Sequence, residues 1–258
     1  MKLQLKKYVA VIAMALAFVS CSSDDDTTTT GEGNLKLEFD NIYKTADLAF
    51  NTAYTNSNGE VVKINKAKYI VSNIVLTKAD GSTYSVPKSE SYFIVDEEVT
   101  SSTLINLPNI PAGNYTKVKF GIGVDQAQFN LGADGQGNFF TLAQTAGMMW
   151  SWSAGYKFVA LEGTFTSSSA TDSMFMVHTG KTGTDYNYTE VTVDLPDNAL
   201  VRTTITPQIH IMADVSQLID GTNKISFNDG AMVMGGNKLA QITANISNMF
   251  EVHHVHND

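Results

Sequence analysis

Apolar and polar side chains alternate along much of the chain with a period of two, the spacing that gives a strand one buried and one wet face. Near the start, Leu35, Leu37 and Phe39 alternate with Asn34, Lys36 and Glu38. The stretch VVKINKAKYIVSNIVLTKADGSTYSV, Val61 to Val86, is broken at Ala79-Asp80-Gly81, residues that tolerate turn dihedrals, so it forms at least a hairpin. SYFIVDEE follows, then TLINLPNIPAGNYTKVKFGIGVD, in which Pro111-Ala112-Gly113-Asn114 makes a turn between two runs of β-formers. Beyond a glycine-rich loop, NLGADGQGNF, strand-like runs resume as MMWSWSAGYKFVALEGTF, DSMFMVHTG, YTEVTVDLP and TTITPQIHIMADVSQLID. Helix signals are few: a turn at Asp214 to Ile219, and Asn237 to Met249, where Asn237 offers a cap and Leu239, Ile242, Ile246 and Met249 fall on one face. Many strands, short turns and no alternating helices predict an all-β fold, an antiparallel β-sandwich with few short helices.

The N-terminal segment MKLQLKKYVAVIAMALAFVSCSSDDD departs from this pattern. Lys2, Lys6 and Lys7 precede an apolar run from Val9 to Val19 that is too short to span a bilayer, and Cys21 follows at once. This reads as a lipoprotein signal peptide over 1–20, with lipid attached to Cys21 and several acyl chains holding the protein to the outer membrane. Cys21 is the sole cysteine, so an internal disulfide is excluded. Residues 21–33, CSSDDDTTTTGEG, contain nothing that anchors a core and predict a flexible acidic, Thr-rich tether ahead of a β-rich domain over 34–258. The Asp triplet resembles the surface-export signal of lipoproteins in the Bacteroidetes lineage; the cell-surface and periplasmic faces both stay open. Loss of three lysines with the signal takes the formal charge from −9 to −12. Nucleic acid is thereby excluded as a partner, since a phosphate backbone calls for a basic surface.

The chemistry-bearing residues are unevenly placed. All five histidines and both tryptophans lie beyond residue 147, as does every methionine of the processed chain. Read as strands, Met174, Met176 and His178 share one face, and His210 and Met212 share a face one strand further on. Trp150 and Trp152 point the same way, with Tyr156 and Phe158 continuing the register. In the terminal EVHHVHND, His254 and His256 share a strand face and His253 lies opposite. Imidazole and thioether suit copper, above all the cuprous ion, outside the cell where free thiols are rare. Each type also has an ordinary use: methionine fills cores, tryptophan closes a core or stacks on carbohydrate, and histidine sits hydrogen-bonded in a strand. Catalytic patterns are absent: no G-x-S-x-G elbow or phosphate loop occurs, and Gly121 to Asp125 lacks the helix a dinucleotide site needs. Asp125, Asp134 and Asn138 do not match calcium-loop spacing.

The ordered blocks NLKLEFDNIY, KYIVSNIVLTKADGSTY, SYFIVDE, NIPAGNYTKVKFGIGVD, MMWSWSAGYKFVALEG, MFMVHTG and NISNMFEVHHVHND resemble the MbnP-like family over about Asn34 to Asp258. These are relatives of a methanobactin-associated periplasmic copper protein. The resemblance implies an extracytoplasmic β-rich copper-binding protein rather than an enzyme, with a di-haem peroxidase-like protein and an outer-membrane TonB-dependent receptor as partners. It implies further that one tryptophan, Trp150 or Trp152, is oxidised to kynurenine and joins histidines at copper. Of these, His178, His254 and His256 match the family pattern, with His210 next. Two positions depart from it: Asn41 and Phe93 stand where relatives commonly carry histidine. The alternative is a surface lipoprotein that binds glycan or a receptor through aromatic residues, and it predicts histidines scattered far apart.

Overall fold

The computed structural model describes residues 29–258. The signal peptide, Cys21 and most of the 21–33 tether lie outside the described residues. Strand structure begins inside the tether as read from sequence, at Glu32 rather than Asn34. In chain order the first strands are β1 (Glu32–Tyr43), β2 (Ala46–Asp47), β3 (Ala53–Thr55), β4 (Val61–Lys78), β5 (Thr83–Ser85), β6 (Tyr92–Asp96), β7 (Leu104–Pro111) and β8 (Gly113–Ile122). Two helices follow, α1 (Gln126–Phe129) and α2 (Asn138–Thr145), then β9 (Lys157–Thr166), β10 (Ser173–Thr182), β11 (Asp185–Tyr186), β12 (Thr189–Val201) and β13 (Pro207–Asp214). The chain ends with α3 (Gln217–Asp220), β14 (Met232–Val233), α4 (Gly236–Asn245) and β15 (Phe250–Asn257).

These strands make two sheets. In the smaller, β15, β13 and β1 lie side by side, with β7 and β2 also pairing to β1. The larger has ten strands in the order β11-β10-β9-β4-β8-β12, with β3, β5 and β6 on β4 and β14 on β10. The fold is the predicted all-β sandwich, but not purely antiparallel: β1 runs parallel to β13, and β10 to β14. A pairing of chain-distant β1 with β13 leaves no local turn signal in sequence, which is why the alternation alone suggested only hairpins.

The period-two pattern does what it predicts. Leu35, Leu37 and Phe39 of β1 and Ile209, Ile211 and Ala213 of β13 are buried against Val62, Ile64, Val118, Phe120 and Leu161 of the larger sheet. Phe39, Phe120 and Phe250 meet edge to face at 5.1–6.1 Å between ring centres. Each such large side chain contributes roughly 1.5–3 kcal/mol of burial. Between β4 and β5 the Ala79-Asp80-Gly81 turn is present, with Gly81 at φ 85° and the Asp80 carboxylate accepting from the Ser82 amide. The other face of these strands stays wet on the smaller sheet, and that face carries the site.

Two local expectations are corrected. The Trp150–Trp152 segment is not a strand: Met149 bridges to Tyr156 and the Trp150 amide donates to the Gly155 carbonyl, so the tryptophans sit on a tight loop. α2 falls partly within the stretch that reads as a glycine-rich loop, because Phe139 packs between Tyr92 and Tyr156 and gives that turn an apolar side to bury. The other helix readings hold with shifted ends. α4 starts at Gly236 and passes into a 3₁₀ turn at Ile246–Asn248, so Asn237 lies inside it rather than capping it, and the Asp214 to Ile219 turn is helical over Gln217–Asp220.

Candidate metal centre

Strands β13 and β15 pair antiparallel. Gln208, His210 and Met212 face out from β13 while Ile209, Ile211 and Ala213 face in, the simple consequence of alternation. On β15 the alternation is broken once. His254 pairs with His210 but Val252 pairs with Ile211, which leaves His253 as an extra, unpaired residue in a β-bulge. In an unbroken strand His253 would face opposite His254, as its position in the sequence suggests. The bulge instead brings both rings together.

The result is a group of imidazoles on one patch of surface. Ligand nitrogens of His210, His253 and His254 all lie within 4.8 Å of one another. Nδ1 of His253 is 2.7 Å from Nδ1 of His254, and Nε2 of His254 is 2.8 Å from Nε2 of His256. The two contacts use opposite nitrogens of His254 and are ring-to-ring hydrogen bonds, so the grouping that can surround one ion is that of His210, His253 and His254. Asp40, from the neighbouring β1, contacts Nε2 of His210 at 3.2 Å. A carboxylate behind an imidazole fixes its ring and leaves the other nitrogen for a metal. Glu38 on the same strand accepts from Gln208 at 2.7 Å and adds negative charge beside the rings. Partial burial and the neighbouring His210, His256 and His253 lower the His254 pKa, favouring the neutral form that a metal requires.

His178 is elsewhere. It lies on β10 in the other sheet, is 4% exposed, and takes no part in this group. Its Nε2 is 2.8 Å from Glu162, whose other oxygen is held by Lys66 at 2.8 Å. With the carboxylate accepting, Nε2 carries the proton and Nδ1 keeps a lone pair; that Nδ1 is buried without a hydrogen-bond partner. Burial lowers the His178 pKa against the opposing pull of Glu162, so the ring is held neutral. Trp150 lies beside it, ring centres 6.1 Å apart, while Trp152 stacks on Phe129 at 4.9 Å and contacts Phe140 and Tyr156. The four sequence-designated histidines therefore fall in two places, with His210, His254 and His256 together and His178 alone.

The profile of the MbnP family matches residues 32–249. The chain belongs to the MbnP family. Among solved structures, MbnP from Methylosinus trichosporium aligns with a TM-score of 0.48 and 14% identity, over 79% of this chain and 81% of that one. No curated protein matches the sequence. The MbnP match stops short of β15, so His253, His254 and His256 stand outside it, although the block ending EVHHVHND was read as part of the resemblance. At the departures from the MbnP pattern, Asn41 is fully engaged: it donates to Glu97 at 2.9 Å and accepts from the buried Tyr69 hydroxyl at 3.0 Å. Phe93 pairs opposite Val71 and packs on the core. Neither offers a ligand.

Sequence reasoning set His253 on the face opposite His254, and it missed Asp40. Nothing in EVHHVHND marks a bulge, and Asp40 becomes a neighbour of His210 only through the parallel β1–β13 pairing. The alternative reading in which histidines scatter fits His178 but not the other four. Both tryptophans are half-buried, so neither is a bare stacking platform.

Proposed function

We propose that this protein is a non-catalytic, extracytoplasmic copper-binding lipoprotein that holds the metal through His210, His253 and His254, with His256 beside them and Asp40 orienting His210. The observation that carries the reading is the convergence of three imidazoles within 4.8 Å on a sheet face, with Asp40 against His210. The donor set fits: divalent copper stands highest among first-row metals for nitrogen ligands, and imidazole serves both of its common oxidation states. Membership of the MbnP family, whose resemblance implies copper, favours it over zinc or nickel. Lipid on Cys21 would keep the protein at the outer membrane, where captured copper could pass to a TonB-dependent receptor.

A second locus within the same function is favoured by the unpartnered Nδ1 of His178. Trp150, not Trp152, is the tryptophan beside an imidazole, and it is the one we assign to oxidation to kynurenine. That conversion needs an external oxidant, which the resemblance assigns to a di-haem peroxidase-like partner. Here the chain's own part is to hold the His178 ring through Glu162 and keep Nδ1 free.

Metal analysis of untagged protein tests the reading. Copper should co-purify or load stoichiometrically, and the paired substitution His210→Ala with His254→Ala should remove it from the cluster. Equal retention by that variant overturns the ligand assignment. Unmodified Trp150 in protein from the native host would count against the kynurenine assignment without touching the cluster.

A further inference from the structure

Among the described residues two methionines are buried, three are exposed, and Met149, Met176 and Met212 lie between. Met148 and Met249 are 0% and 1% exposed and fill core space, the usual role of a flexible apolar side chain. Met174, Met232 and Met234 are 62%, 52% and 38% exposed, three of the few large apolar side chains that water reaches. They are not scattered. Met174 and Met176 alternate with buried Phe175 and Val177 on β10, so both face outward. β14 runs parallel beside β10 with Met232 directly opposite Met176 and buried Val233 opposite Val177, which puts Met232 on that same outer face. Met234 lies just past the end of β14, its carbonyl accepting from Thr182 and its side chain lining a recess with Trp150 and Lys181.

We propose that Met174, Met176, Met232 and Met234 form a second metal site, built of thioethers and selective for a soft monovalent cation such as the cuprous ion. Adjacent strands lie about 4.8 Å apart, and two metal–sulfur bonds of roughly 2.3 Å each span that distance. The flexible side chains of the registered pair Met176 and Met232 can therefore close on one ion between β10 and β14, with Met174 and Met234 flanking them. A thioether has no charge and no proton to lose, so it discriminates against hard divalent ions and in favour of a polarisable one. Glu162 lies opposite Met176 on β9 and places a carboxylate next to the strip. At the inner end, on the same face of β10, is His178, whose buried Nδ1 lone pair has no donor. A cation seated at that end of the strip would satisfy it, so the strip rests on and extends the His178 locus proposed above. The strip belongs to the ten-stranded sheet and the His210 group to the other, so the two sites stand or fall separately.

The test exploits the one property that separates the donors. Protons compete with a metal for imidazole nitrogen but not for a thioether sulfur, so acid solution favours the thioether donors. The full chain is titrated at pH 5 with silver ion, and with cuprous ion under a reductant against a competing chelator. Wild type should bind one equivalent with sulfur scattering in its X-ray absorption spectrum, and the His210→Ala/His254→Ala variant should do the same. Met176→Leu/Met232→Leu/Met234→Leu, a volume-conserving change, should lose that equivalent while still binding copper at pH 7. Should the triple variant fold poorly, peroxide footprinting of wild type replaces it: bound silver should protect Met174, Met176, Met232 and Met234 from sulfoxide formation. Equal pH 5 binding by wild type and triple variant, no sulfur scattering, or no protection overturns the proposal.

Discussion

Deleting one of the adjacent histidines His253 and His254 perturbs the cluster with little collateral change. Deletion of either gives the same chain, because the two are identical neighbours. The register shift between His210 and Ile211 exists only to accommodate the extra residue. With it gone, Val252 remains opposite Ile211 and the surviving histidine takes the His254 position opposite His210, so the ladder runs on unbroken. What is lost is one imidazole of the three that lie within 4.8 Å of one another. Removing even an outer partner of a metal ligand weakens binding by about 10–100-fold, so losing a ligand should cost at least ~100-fold, or ~2.7 kcal/mol. Folding stability should move by less than about 1 kcal/mol, since no buried contact is removed. Copper affinity is measured by competition titration at pH 7 and stability by urea unfolding. His253→Asn, which keeps the bulge and removes the ring, should lose affinity to the same degree. A deletion variant that binds copper within about threefold of wild type would show that the bulge delivers no ligand.

Burial alone would raise the Asp125 carboxyl, but hydrogen bonds from Asn73, Lys88, Tyr92 and the Gln128 amide outweigh it and bring its pKa to about 2 from 3.8. Because the folded value is the lower one, this stabilisation is full above pH ~4 and fades as pH falls from 4 to 2; Asp125→Asn should cost about 1–2 kcal/mol at pH 7 and progressively less below pH 4, read by urea midpoints across pH. Gly163→Ala should destabilise by roughly 1–3 kcal/mol in thermal unfolding, because a Cβ there meets the Lys63 carbonyl in the adjacent strand. Glu162→Gln should lower the His178 pKa further, since Glu162 is the group that raises it, and an NMR titration showing a rise would contradict the assigned network.

The sandwich was legible because its strands carry buried faces. Leu35, Leu37 and Phe39 had to be buried in any arrangement of alternating strands, and the turns at Asp80-Gly81 and Ala112-Gly113 announce themselves through residues that tolerate those dihedrals. Register between chain-distant strands leaves no such mark, so Asp40 beside His210 could be known only from the assembled sheet. The histidines of the terminal segment were visible as a group, yet their facing was not, because one bulged residue rotates His253 to the other side. For the tryptophans the error ran the other way. Trp150 and Trp152 alternate as strand residues would, but Gly155 at φ 83° allows a tight return at that point, and the two rings part, one to His178 and the other to Phe129.

Imidazoles from β13 and β15 are proposed to hold the metal together. Pulsed electron paramagnetic resonance of the full chain loaded with one equivalent of cupric ion at pH 7 tests it most directly. Remote-nitrogen couplings from three imidazoles are expected in wild type, with one fewer after His253→Asn and the spectrum of the cluster lost after His210→Ala/His254→Ala. Coupling to one imidazole or none in wild type, or a spectrum unchanged by either variant, would contradict it.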